Sequence, residues 1–225
     1  MRTKAILLAL AATLSLGSTA AVAQGTAGWR EPDPENVLVV DTNKGRIIAE
    51  LTPVTGPQNV ARLKELARAR FYDGRAFFRV VDGFMGVMMV GSQPDALMAM
   101  MTDGRVTAQA RFCKGVLGMA RTNEPNTANS QFFFMRDTRP DLDGKYTPVG
   151  RVLVGLDVVR ALKVGEPVAE PQDRMTTVRL LSEIPAAERP RVLVRDTAAP
   201  EFAGVIQARG ARFDPCDLDI EAVVQ

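Results

Sequence analysis

From Val37 onward the chain reads as short apolar runs separated by polar turns. VLVVDT and RIIAEL, joined by NKG, have the pattern of a β-hairpin. Pro57 can open a helix through Ala69, in which Val60, Leu63, Leu66 and Ala67 make one apolar stripe and the charged residues face out. Strand-like runs follow at Ala76 to Val81 and Gly83 to Val90, then at Gly115 to Ala120, Gln131 to Met135 and Val149 to Val154. Ala96 to Arg105 reads as a loop or short helix carrying three methionines. Gly155 precedes a second, shorter helix marked by Leu156, Val159 and Leu162, and Thr176 to Ile184 is the closing strand. About eight strands with two interspersed helices lack the regular βαβ alternation of a parallel sheet, which predicts a mainly β, predominantly antiparallel barrel.

The ends of the chain read differently. Arg2 and Lys4 precede the apolar stretch Ala5 to Leu16, and small residues lead to Ala21-Val22-Ala23 before Gln24. This is the pattern of a secretory signal peptide at 1–23, cleaved after Ala23. Its apolar stretch is shorter than the roughly 20 residues a membrane-spanning helix needs. Residues 24–36, rich in Gly, Pro and charge, read as a flexible tether. The globular unit is expected over 37–184, and 185–225 as an extension docked on it. Within that extension RVLVR is strand-like, and Phe202, Val205, Ile206 and Arg209 have helical spacing.

Composition narrows the chemistry. The 28 basic residues fall to 26 without Arg2 and Lys4, matching the 26 acidic ones. Such balance leaves no electrostatic footprint for nucleic acid or an anionic membrane, so neither is an expected partner once the leader is removed. There is no histidine, which excludes His-based triads, HExxH zinc sites and imidazole general bases. Cys113 and Cys216 are too few for a structural zinc site. In an oxidising compartment they can pair, but their spacing leaves a disulfide and two free thiols equally open.

Two runs carry candidate chemistry. FFRVVDGFM, Phe77 to Met85, and NSQFFFM, Asn129 to Met135, put one guanidinium, one amide and several large apolar side chains on strand-like segments about fifty residues apart. Such a set suits a greasy pocket with one strong cationic donor. Together with PNTANSQFFF and LDGKYTPVGRV, these residues resemble a cyclophilin, the β-barrel family of peptidyl-prolyl cis/trans isomerases, from about Val37 to Ile184. The ordered coincidence of Phe77, Arg79, Gly83, Phe84, Met85, Asn126, Ser130, Gln131, Phe133, Leu142 and Gly144 carries the resemblance.

The resemblance implies a closed antiparallel eight-stranded barrel with two capping helices, acting without cofactor or metal. It implies rotation about X-Pro bonds, with Arg79 and Gln131 catalytic. Phe84, Met85, Phe133 and Leu142 correspond to the proline pocket, Ala120 and Arg121 to a segment that binds peptide through its main chain, and Tyr146 to the family's histidine position. The expected partners are proline-containing peptide segments and unfolded exported proteins, met by a monomer; the leader and the bacterial look of LDGKYTPVGRV place it in the periplasm.

Several positions depart from the family pattern. Val87 stands where a glutamine is expected, Asp141 where a tryptophan, and Val149 where a phenylalanine near the pocket is usual; ARTNEPNT is one residue longer than the usual loop. The change at Asp141 argues against tight binding of cyclosporin. Met85, Met88, Met89, Met98, Met100 and Met101 form a cluster in sequence whose thioethers can bind Cu(I), yet methionine also packs irregular gaps and builds adaptable peptide-binding surfaces. An exported isomerase is therefore the leading reading, a non-catalytic peptide-binding or chaperone-like barrel the second, and copper handling the third.

Overall fold

The structure, a computed structural model, describes residues 27–83, 85–89, 111–124, 127–210, 213–218 and 220–225, with the backbone alone at 85–89. The expected leader, Phe84, Asn126 and the methionine-bearing segment 96–105 lie outside these residues. In chain order the strands are β1 Trp29–Arg30, β2 Val37–Thr42, β3 Gly45–Leu51, β4 Phe77–Arg79, β5 Met85–Met89, β6 Val116–Met119, β7 Phe132–Met135, β8 Pro148–Val154, β9 Met175–Leu180, β10 Val192–Arg195 and β11 Ala222–Val224. The helices are α1 Pro57–Arg68, α2 Leu156–Ala161 and α3 Pro200–Arg209. Eight strands form an antiparallel sheet in the order β4-β5-β7-β6-β8-β3-β2-β9, and β1-β10-β11 form a second sheet. None of the helices among the described residues is long and apolar enough to cross a membrane.

The hairpin closes where its sequence asks it to. β2 and β3 pair from Val37 with Glu50 to Thr42 with Gly45, and Thr42 Oγ1 donates to Gly45 O at 2.7 Å across the turn. β2 reads VLVV without alternation because both of its faces are covered. Leu38 and Val40 point inward with Ile47, Leu51 and the α1 residues Val60 and Leu63. Val37 and Val39 point outward, with Ile48, against Val192 and Val194 of β10.

The closed barrel expected from the resemblance is corrected to an open, curled half-barrel. β4 and β9 stand at opposite ends of the strand order. Among the described residues they are bridged by the isolated Ala76–Arg174 pair and by neighbouring backbone bonds such as Gly74 N–H to Met175 O at 2.8 Å, not by a continuous ladder. The cause is local. β4 is three residues long with a shifted register, and its outer edge is occupied by the 165–173 segment, through Val80 with Gly165 and Phe77 N–H with Asp173 O.

The flanking segments are ordered against the sheet. Trp29 and Arg30 carry no periodic apolar pattern, yet they form an edge strand beside β10. Arg30 Nη1 and Nη2 reach Glu50 Oε1 and Oε2 at 2.6 and 2.7 Å, which fastens β1 to β3. Phe202 is the one residue of α3 that is buried, while Val205 and Ile206 remain exposed. Cys113 and Cys216, whose Cα atoms lie 4.9 Å apart, form a disulfide.

Candidate active site

Strand alternation sorts the aromatic run of β7. Phe132 and Phe134 enter the inner core, whereas Phe133 and Met135 face outward with Phe112, Val116, Ala120 and Leu142. Directly opposed residues on neighbouring strands share a face. Arg79 opposes Met88, Met88 opposes Phe133, and Phe133 opposes Gly118. Arg79 and Phe133 therefore occupy one face of the sheet, two strand spacings, or about 10 Å, apart.

Phe133 is fully buried. Phe112 stacks on it at 5.8 Å between ring centroids, and Tyr146 meets it edge-on at 5.9 Å. The stack exists because Gly118 lies beneath it: a Cβ there would come within 2.5 Å of Phe133 Cζ and 2.7 Å of Phe112 Cε1. Leu142 is also buried in this cluster, with Tyr146 half-buried at its rim.

Arg79 is partly exposed at the other end of the row. Its Nε donates to Glu166 Oε1 at 2.5 Å, and its Nη2 forms an ion pair with the same oxygen. Glu166 is delivered by backbone pairing. Val80 N–H donates to Gly165 O at 2.8 Å, Gly165 N–H returns to Val80 O at 2.9 Å, and Val168 N–H reaches Phe78 O at 2.6 Å.

Gln131 immediately precedes β7, two residues before Phe133, and its main-chain oxygen accepts from Ala120 N–H at 2.8 Å. Among the described residues its side-chain amide makes no hydrogen bond. Beside it a cleft of about 190 Å³ is lined by Ala120, Arg121, Thr122, Thr127, Asn129, Ser130 and Gln131. Tyr72 supports this wall from inside, its hydroxyl donating to Ser130 O at 3.0 Å; burial pushes the phenol well above its usual range, so it remains a donor. The Arg121 side chain does structural work: Nε and Nη2 donate to Lys145 O, Nη1 donates to Thr122 O, and Cζ lies 5.1 Å from the Tyr146 ring centroid. It ties the loop at Lys145 to the loop at Thr122 that lines the cleft.

The structure thus brings Arg79 and Phe133 onto one face and gathers Ala120, Arg121, Gln131, Leu142 and Tyr146 around Phe133 and the neighbouring cleft. Met85 lies on β5 opposite Met135, and Phe84 is outside the described residues. Asp141 turns to Arg139, whose Nε and Nη2 bind it at 2.7 and 2.8 Å. The hydrogen bond from Arg139 holds its carboxyl below the usual range. Glu166, Phe112, Gly118 and Tyr72 are missed by sequence reasoning. Of these only Gly118 left a signal, a glycine inside an apolar strand, which marks a close approach.

The family model described as cyclophilin type peptidyl-prolyl cis-trans isomerase/CLD matches residues 37–182. A probable peptidyl-prolyl cis-trans isomerase of Brucella suis is 39% identical over 145 residues, covering 59% of this chain and 74% of the relative. A peptidyl-prolyl cis-trans isomerase-like 1 of Rhizopus delemar is 32% identical over 153 residues, covering 63% and 87%. Among solved structures, a cyclophilin from Hirschia baltica superposes with a TM-score of 0.73 at 28% identity, over 87% of this chain and 93% of that one. A Cryptosporidium parvum cyclophilin type isomerase, solved in the presence of the dipeptide Ala-Pro, shares the fold at 20% identity with a TM-score of 0.57, over 64% and 98%. The inward and outward halves of β7, the Arg79 row and these likenesses agree: the chain belongs to the cyclophilin-type peptidyl-prolyl cis/trans isomerases.

Proposed function

We propose that the Arg79–Phe133 face accelerates cis/trans rotation about X-Pro bonds in exported polypeptides. The observation that carries this reading is the shared register row of Arg79 and Phe133, with Gln131 two residues before the ring, just ahead of β7. The amide barrier of about 18 to 20 kcal/mol comes from resonance that keeps the bond planar, so the uncatalysed reaction takes tens of seconds or longer. No covalent bond needs to form or break. A twisted amide nitrogen regains its lone pair and accepts a hydrogen bond, and a guanidinium held nearby binds that state better than the planar one. One charge-assisted hydrogen bond contributes only about 1.5 to 3 kcal/mol. Orientation by the Gln131 amide and an apolar floor, which favours the less polar twisted amide, supply the rest.

An Ala-Pro reporter peptide tests the reading. Arg79→Ala should lower kcat/KM by about 10²- to 10³-fold with the fold intact, and a well-folded but inert wild type would remove the catalytic claim. The Ala-Pro dipeptide named for the Cryptosporidium relative supports proline-containing peptide as the ligand class. The leader pattern supports export to the periplasm and a role in folding clients there; processing of the full chain should leave Gln24 as the first residue. Val87 in the family's glutamine position favours one alternative, a barrel that binds proline-containing or unfolded chains without turnover. Peptide binding with no rate enhancement would select it.

A further inference from the structure

We propose that Glu166 is the positioning residue for Arg79, an assignment that rests on the isomerase reading above. Val87 stands where the family pattern has a glutamine, so one backbone-holding amide of that pattern is missing from this sequence. Arg79 is nonetheless not left to rotate freely. Two of its nitrogens, Nε and Nη2, converge on one oxygen, Glu166 Oε1, and Nη1 keeps no partner among the described residues. A carboxylate that binds one edge of a guanidinium fixes its plane and leaves the remaining donor aimed elsewhere. In this geometry Nη1 is the donor that meets the amide nitrogen.

The carboxylate is itself held in place. Residues 165–168 lie along the outer edge of β4 through the three backbone bonds to Val80 and Phe78. Val168 is buried in the core. Gly165 permits the segment to turn tightly on itself, since a Cβ there would come within 2.6 Å of Val168 Cα and 2.8 Å of Pro167 O. The segment that keeps the sheet from closing is therefore the one that presents Glu166 to the reacting side chain. Preorganisation of this kind acts on kcat, because it aligns a donor needed in the transition state and adds nothing to ground-state binding.

Wild type, Glu166→Gln, Glu166→Ala and Glu166→Lys are compared on an Ala-Pro reporter peptide, with Arg79→Ala and the Arg79→Ala/Glu166→Ala double variant. Glu166 is more than half exposed, so its variants should melt with wild type. Loss of orientation predicts that Glu166→Ala lowers kcat roughly tenfold or more, with KM changed less than about twofold. Glu166→Gln, which keeps an acceptor oxygen, should recover much of the rate, and Glu166→Lys, which repels the guanidinium, should lose most. The double variant should be no slower than Arg79→Ala alone. Wild-type kcat in Glu166→Ala, or a full additional loss in the double variant, would overturn the assignment while leaving isomerisation standing. An inert wild type would instead remove the isomerase reading, and Glu166 with it.

Discussion

Gly118 decides how the pocket floor is built. Phe112 and Phe133 stack across it, and a methyl group at that position would push into both rings. Overpacking of this kind costs about 1 to 3 kcal/mol. Gly118→Ala should therefore lower the urea midpoint and also reduce kcat/KM on an Ala-Pro peptide, since Phe133 must move. A variant that kept wild-type stability would show that the stack yields freely. Arg70 is the opposite case. It follows α1 at φ 60, a left-handed conformation, with Phe71 N–H bonded to Leu66 O at 3.0 Å. That helix end suits glycine, which has no Cβ to strain. Arg70→Gly is expected to stabilise the fold by about 0.5 to 1 kcal/mol, part of the strain relief being offset by the freer unfolded chain. Activity should not change, because Arg70 lines a different groove, with Asp41, Arg46 and Arg179.

β2 shows how one element joins two cores. Its alternate residues serve the inner core and the outer layer under β10, which is why VLVV lacks polar positions. The outer layer has a predictable vulnerability. Val194 is buried in one layer with Val37 and Val39; a carboxylate placed there would be desolvated, and the guanidinium opposite it on β1, Arg30, is already committed to Glu50. Val194→Asp should cost about 3 kcal/mol or more, seen as a lowered melting temperature with exposed apolar surface. Isomerase activity measured well below that temperature should persist, because this layer covers β2 and β3, not the β5 and β7 face. An activity loss equal to that of Arg79→Ala, in a variant still folded, would contradict the separation of the two faces.

Over the whole molecule, the local patterns were legible and the distant pairings were not. Alternation and turn chemistry placed β2, β3, α1, α2 and β10, since each depends on a few neighbouring residues. The ordered set from Phe77 to Gly144 identified the family, whose model matches residues 37–182. Closure of the sheet was misjudged because it depends on whether β9 or the 165–173 segment takes the outer edge of β4, a choice made by nonlocal hydrogen bonds. Glu166 was invisible for the same reason, being 87 residues from Arg79. The two cysteines, 103 residues apart, could be read either way until the fold brought them together. Their bond links the segment behind the Phe112–Phe133 stack to the C-terminal turn, where Arg111 also bridges Asp143 and Asp214 at 2.7 and 2.9 Å. In the chain-entropy account a loop of this length contributes about 4 to 5 kcal/mol by restricting the unfolded chain. Urea unfolding with and without reductant measures it. The oxidised protein should be more stable by several kcal/mol, and a Cys113→Ser/Cys216→Ser variant should match the reduced protein and ignore the reductant. Equal midpoints for the oxidised and reduced forms would mean that the ion pairs of Arg111 and the outer apolar layer hold the C-terminal segment without the covalent link.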